Sequence, residues 1–270
     1  MSRLVVILGY GYTGNVLARL IRESGDSALA TTRKRPPFPA GAGTVPLIQF
    51  DLNRPESWQN LPTCDGIVWT FPAAPLAQVR SLWSKVSPLT RSLVVIGTTS
   101  SYTATREGAE TDERAPLDHS NPRVEGEEFL RAEGSTVLRS AGIYGQGRNP
   151  LDWLRRGSIP GAEKIVNLVH VEDLAISILA ALEGRGRGED FIVSDGSPKP
   201  WGEIARWAVA KGYVPDVRWS GVPAAASRRL SNRKLLTTLS PEFRHTDLFR
   251  ELDELERPDQ PSSQETSPAP

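Results

Sequence analysis

The spacing Gly9-Tyr10-Gly11-Tyr12-Thr13-Gly14, set between an apolar run and an amphipathic stretch, constrains this chain more than any other feature. Leu4–Leu8 reads as a core strand feeding straight into the glycines. Thr13 to Glu23 then places Val16, Leu17, Leu20 and Ile21 on one helical face, with Gly25 where the helix should stop. Three glycines at these intervals are a weak signal alone; a strand in front and a helix behind make them a strong one. Gly9 permits the tight turn out of the strand, Gly11 lets a backbone approach a pyrophosphate, and Gly14 lets helix and strand pack closely. The free amides of the helix start, the positive end of its dipole and the Thr13 hydroxyl together make an anion site. The plainer alternative is a glycine-rich turn that binds nothing.

Further apolar runs follow at Val45–Phe50, Ala28–Thr31, Ile67–Phe71, Leu93–Gly97, Thr136–Arg139 and Phe191–Ser194, with polar or amphipathic segments between several of them. Such alternation predicts an α/β fold, a Rossmann-type doubly wound and mostly parallel sheet. Val171 to Leu182 and Trp201 to Ala210 carry apolar residues at helical spacing and read as packed helices. We expect one domain over residues 1–256, with a C-terminal substrate-binding part from about 145 to 256. Residues 257–270 are expected to form a disordered tail, since from Pro258 onward only polar residues, proline and one alanine remain.

Positive and negative side chains balance at 32 each, so no long-range field draws the chain to nucleic acid or to an anionic membrane. The expected partner is a small-molecule substrate. Cys64 is the only cysteine, which excludes an intramolecular disulfide and a cysteine-based metal cage; no metal is expected. No segment approaches the roughly 20 uninterrupted apolar residues a spanning helix needs, and the expected location is cytoplasmic.

The end of the second strand discriminates between nicotinamide cofactors, because a carboxylate there binds ribose hydroxyls and repels a 2′-phosphate. The chain reads Ala30-Thr31-Thr32-Arg33-Lys34-Arg35. It has no acid there, while Arg33 offers a planar fork, Thr32 a hydroxyl, and Lys34 or Arg35 auxiliary charge. NADP(H) is therefore expected, with NAD as the alternative, and a solvated basic loop as the plain reading. Asp51, followed by Leu52, can accept from an adenine amino group or cap a helix beginning near Pro55. Tyr12, Thr70 and Gly142 complete the expected cofactor contacts.

Several segments, taken in order, resemble the atypical and extended short-chain dehydrogenase/reductase superfamily, in its NAD-dependent epimerase/dehydratase-like branch. They are the glycine loop, Asp51-Leu52, Ile96 to Tyr102, Leu138 to Gly145 and Val169 to Ala175. The resemblance implies a catalytic hydroxyl at Thr98, with Thr99 beside it, for the substrate oxygen; the plainer reading of both is bonding to local backbone. It implies that the loop Tyr144-Gly145-Gln146-Gly147 flanks the nicotinamide and that Arg148-Asn149-Pro150 faces the substrate, Asn149 as a polar contact. His170, Glu172 and Asp173 match a turn entering a helix and read as structural.

The departure lies between residues 112 and 133, which hold neither the tyrosine nor the lysine of the family's Tyr-x-x-x-Lys pair. That tyrosine moves the proton accompanying hydride transfer. Tyr102, Tyr144, His119 and Arg123 are candidate substitutes; Tyr102 and Arg123 rank first, Arg123 in an electrostatic role because it stays protonated. Ser227 to Lys234 gathers four cations, Arg228, Arg229, Arg233 and Lys234, which read equally as an anion site or a solvated basic segment. The expectation is an NADP(H)-binding oxidoreductase or epimerase/dehydratase-like enzyme on a small or nucleotide-linked sugar-like substrate. The alternative is a non-catalytic NADP(H)-binding redox sensor.

Overall fold

The apolar runs become seven strands in a computed structural model that describes residues 2–34, 45–103, 109–221 and 227–257. They are β1 (Leu4–Leu8), β2 (Ser27–Thr32), β3 (Leu47–Gln49), β4 (Gly66–Trp69), β5 (Leu93–Thr98), β6 (Thr136–Ser140) and β7 (Asp190–Val193). Their order in the sheet is β3-β2-β1-β4-β5-β6-β7, and every pairing is parallel. The order reverses between β1 and β4, and in open parallel sheets such a switch point opens a crevice at the carboxyl ends of the strands.

Helices cover both faces, which is why the central strands are nearly continuous in apolar residues instead of alternating. On one face, α1 (Tyr12–Glu23) and α5 (Val171–Leu182) bury Leu17, Ile21, Leu174 and Ile178 against Val5, Ile7 and Leu138. On the other, α2 (Leu76–Val86) and α3 (Pro122–Ala132) bury Val79, Leu82 and Leu130 against Val6, Trp69 and Val95. Helix α3 starts where the sequence dictates: Asn121 caps it by accepting from the Arg123 amide, and Pro122 fills the first helical position.

A third core lies in the C-terminal part, where α4 (Leu151–Arg155), α6 (Trp201–Ala210) and α8 (Leu248–Glu256) pack through Leu154, Ile204, Ala208 and Leu252. The short α7 (Arg233–Thr238) joins the sheet core through Leu235. Two short parallel pairings fasten this part to the carboxyl end of the sheet, Gly142–Tyr144 with Leu168–His170 and Glu110–Thr111 with Arg229–Leu230. The expected helices at 171–182 and 201–210 form with those bounds. Arg35 and residues 258–270, the bulk of the expected tail, lie outside the described residues. No helix among the described residues is long and apolar enough to cross a membrane.

Candidate functional site

The glycine loop runs from the end of β1 into α1, and its backbone is shaped by the close approaches the spacing implied. Gly9 adopts φ +102°, and a Cβ there would stand 2.6 Å from Thr70 Oγ1. A Cβ on Gly14 would stand 2.3 Å from the Gly9 carbonyl oxygen, so only a glycine lets the helix start lie on the strand end. Gly11 differs: a Cβ there would meet no protein atom within 4 Å, so nothing within the fold demands a glycine. Its glycine suits the groove it lines instead. As N-cap of α1, Gly11 makes no side-chain bond to the first turn, whose leading amides have no intrahelical acceptor.

A groove of about 590 Å³ opens over this loop, lined by Gly9, Gly11, Thr32, Arg33, Asp51, Leu52 and Thr70 among others. The Gly9 amide donates to Thr31 Oγ1 at 2.9 Å. Thr70 Oγ1 lies 2.9 and 3.0 Å from the carbonyls of Leu8 and Gly9, so its hydroxyl proton stitches the end of β4 to the loop. Arg33 is exposed at the end of β2 and has no ion pair among the described residues. Asp51 does not cap the following 3-10 helix Pro55–Asn60, whose N-cap is Arg54. Its carboxylate accepts from the Asn53 amide at 3.0 Å, and Asp51 lines the groove. Phe50, Phe71 and Pro72 also line it; they carry no motif, and only the folded sheet gathers them.

Four expected cofactor residues sit apart from that lining, Gly14 among them because it packs against the Gly9 carbonyl. Thr13 lies in the first turn of α1. Gly142 donates its amide to the Asn167 carbonyl and abuts Leu168, which a Cβ would approach to 3.0 Å. The Tyr12 ring turns to a second cavity, shared with His170, Glu172, His245 and Glu251, where its buried hydroxyl has no hydrogen-bond partner. There the His170 and His245 rings stack with centroids 3.7 Å apart. Ligand-type atoms of His170, His245 and Glu251 lie within 4.8 Å of one another. Both His245 nitrogens face carboxylates, Glu251 at 2.8 Å and Glu172 at 3.3 Å, while His170 Nδ1 accepts from the Glu172 amide. The cluster is thus a hydrogen-bonded stack around the start of α5.

Past the groove, β5 ends in the hydroxyl run. Thr98 Oγ1 accepts from the Ser100 amide and lies 3.0 Å from Ser100 Oγ, capping the 3-10 turn Thr99–Ser101 at the carboxyl edge of the sheet. Thr99 Oγ1 donates to the Ser140 carbonyl. Beneath them Glu127 of α3 is buried against Gly97, with Ser101 Oγ at 3.5 Å. Burial pushes its carboxyl up to about 7 against the pull of Arg139. Arg123, at the start of α3, is partly exposed, and its buried Nε has no hydrogen-bond partner.

Tyr102 stands elsewhere than a proton donor at the crevice would. It is 2 % exposed, and its hydroxyl donates to Asp190 Oδ2 at 3.4 Å. Asp190 opens β7, whereas Thr98 is level with Ser140 and Val193 at the other end. At a rise of about 3.3 Å per residue, the phenol points about 10 Å back from the crevice. Burial and Asp190 both hold its pKa above the ordinary phenol range. The residue belongs to a buried network centred on Arg139, 0 % exposed, which meets Glu127, Glu128 and Asp190. Tyr144 is likewise buried, its ring edge-on to His170, and His119 is exposed. Asn149 spends its amide on Glu256 and its oxygen on the Leu151 amide, so both ends of its side chain are engaged within the protein just before α4.

Of the four cations at 228–234, Lys234 pairs with Glu189 at 2.8 Å, and Arg229 and Arg233 are exposed along a separate groove. Arg228 alone reaches the β5 loop, donating from Nη1 to the carbonyls of Thr99 and Tyr102.

A parallel sheet in this order, with a glycine loop at its switch point, is a Rossmann-type dinucleotide fold. Solved structures share this fold over nearly their whole length. A NAD-dependent epimerase/dehydratase from Methylobacillus flagellatus superposes with TM-score 0.76 at 24% identity, covering 94% of this chain and 98% of its own. MoeE5 in complex with UDP-glucose and NAD gives 0.77 at 18% identity, over 93% and 97% of the two chains. A short-chain dehydrogenase/reductase superfamily protein from Agrobacterium tumefaciens with bound NAD gives 0.75 at 15%, over 94% and 96%. No family model and no curated protein matches the sequence.

Proposed function

We propose that this chain is an NADP(H)-dependent member of the short-chain dehydrogenase/reductase superfamily acting on a small or nucleotide-linked, sugar-like substrate. The observation that carries the reading is the groove at the β1–β4 switch point, with the glycine loop at one wall and an ion-pair-free Arg33 at the other. Neighbours of the same fold hold NAD, one of them together with UDP-glucose, which supports a nicotinamide dinucleotide here. Arg33 and the absence of a carboxylate at the end of β2 favour the 2′-phosphorylated form.

The cofactor supplies or accepts the hydride. Thr98 is positioned at the carboxyl edge to hold the reacting oxygen, and Arg123, at the start of α3, to steady negative charge there. Cofactor preference is the direct test. Calorimetric titration should show NADPH binding at least tenfold tighter than NADH, and Arg33→Ala should bring the two within about threefold, since a charged bidentate contact is worth roughly 1.5–3 kcal/mol. Equal affinities in the unaltered protein would remove the NADP(H) assignment. Transfer of labelled hydride from NADPH to a carbonyl panel separates an enzyme from a non-catalytic binder.

A further inference from the structure

Among the described residues, Arg228 is a cation without a counter-ion. Its Nη1 donates to the carbonyl oxygens of Tyr102 at 2.5 Å and Thr99 at 3.3 Å, and no carboxylate pairs with it among the described residues. Burial alone holds its pKa below the usual guanidinium range. Desolvating a charge without an opposite partner is unfavourable, and this chain meets the difficulty differently at Arg139, where three carboxylates surround one guanidinium. The other N–H groups of Arg228 have no partner among the described residues, nor are they sealed from solvent. They remain available to a ligand.

The surrounding backbone is fixed. The Asn167 amide donates to the Arg228 carbonyl at 2.9 Å, and Asn167 Oδ1 accepts from the Leu230 amide at 2.8 Å. Ser227 Oγ accepts from the Ile165 amide, and Arg229–Leu230 pairs with Glu110–Thr111. The guanidinium is therefore held from both sides at the loop that carries Thr98. Thr98 immediately precedes Thr99, whose carbonyl accepts from Arg228, so Arg228 and the Thr98 hydroxyl belong to the same short loop at the end of β5.

We propose that Arg228 receives an oxyanion of the substrate, a carboxylate or phosphate borne within a few bonds of the reacting carbon, and so selects small acidic substrates. A planar fork matches the paired oxygens of both groups. The proposal rests on the crevice being the NADP(H)-dependent site argued above. It narrows the substrate class to compounds whose charge sits beside the reaction centre.

The test uses the full chain saturated with NADPH and titrated calorimetrically with inorganic phosphate and, separately, malonate; the stronger of the two distinguishes the sources of the oxyanion. The unaltered protein should bind at least one. Arg228→Ala and Arg228→Gln should weaken that binding tenfold or more while changing NADPH affinity less than twofold. The glutamine keeps a polar donor and part of the stem without the charge, so it stands in if the alanine variant does not fold. Arg228→Lys, with charge but no fork, should fall between. Binding unaffected by the glutamine variant, or absent from an NADPH-loaded protein, would overturn the proposal and leave the cofactor reading intact. Failure to bind NADPH at all would instead defeat that reading.

Discussion

At the scale of single residues, glycines of one motif divide into two kinds. Gly14 is required by the fold, since its neighbour is a backbone oxygen that cannot move aside. Gly11 faces no protein atom. Gly14→Ala should therefore lower stability by about 1–3 kcal/mol and abolish NADPH binding. Gly11→Ala should cost under about 1 kcal/mol, the loss of a tolerated N-cap residue, yet weaken NADPH at least tenfold. Urea unfolding beside calorimetry checks both; equal destabilisation by the two would contradict the division. Glycine loop and Arg33 were legible because strand, loop and helix are contiguous, so local spacing already defines their geometry. Tyr102 was not. Its interval from Thr98 fits a donor at the crevice, but a bridge to Leu117 and the bond to Asp190 turn the ring along the sheet, and neither partner is near in sequence.

At the scale of elements, the start of α5 anchors the segment leading into α8. His170 caps α5 through Nδ1, Asp173 accepts from the amides of Arg244 and His245, and Glu172 and Glu251 flank His245. Burial and the neighbouring His245 push His170 down to about 4, from 6.5. A histidine depressed on folding contributes stability that is full above pH 6.5 and is lost as pH falls toward 4, because the unfolded chain then binds the extra proton. His170→Asn keeps an acceptor for the Glu172 amide and removes the titration. Its Tm should fall less between pH 7 and 4.5 than that of the unaltered protein, as followed by circular dichroism; parallel curves would refute the assignment. Sequence reading found the helix at 171–182 from periodicity and the turn before it from the family resemblance. It missed the stack, since His170 and His245 lie on segments that only tertiary packing brings together. Likewise, the basic segment at 227–234 was visible as charge, but the backbone of the one cation that reaches the β5 loop is held by Asn167, 61 residues away from Arg228.

At the scale of the whole molecule, the parallel, helix-covered sheet was readable because its strands are apolar runs with room for a helix between several of them, whereas the strand order emerges only in the structure. The third core in the C-terminal part was not, because its residues come from α4, α6 and α8 without a shared motif. A ligand that binds only the folded chain stabilises it by about 2.7 kcal/mol at 100 times its Kd. Saturating NADPH should thus raise Tm by about 5–10 °C for a chain of this size, while Gly11→Ala, at the same concentration, should lose most of that rise. The sheet's parallel order also governs how the chain is made. No strand can pair with its successor through a hairpin, and β1 lies inside the sheet, Val5 pairing with Ala28 on one side and Gly66 on the other. During synthesis, β1 and β2 emerge well before β4, so β1, a strand of apolar side chains, keeps one edge of unpaired backbone groups until residue 66 and its neighbours arrive. Open apolar edges invite pairing with other chains. The strand that positions the glycine loop is, for that interval, paired on one side only.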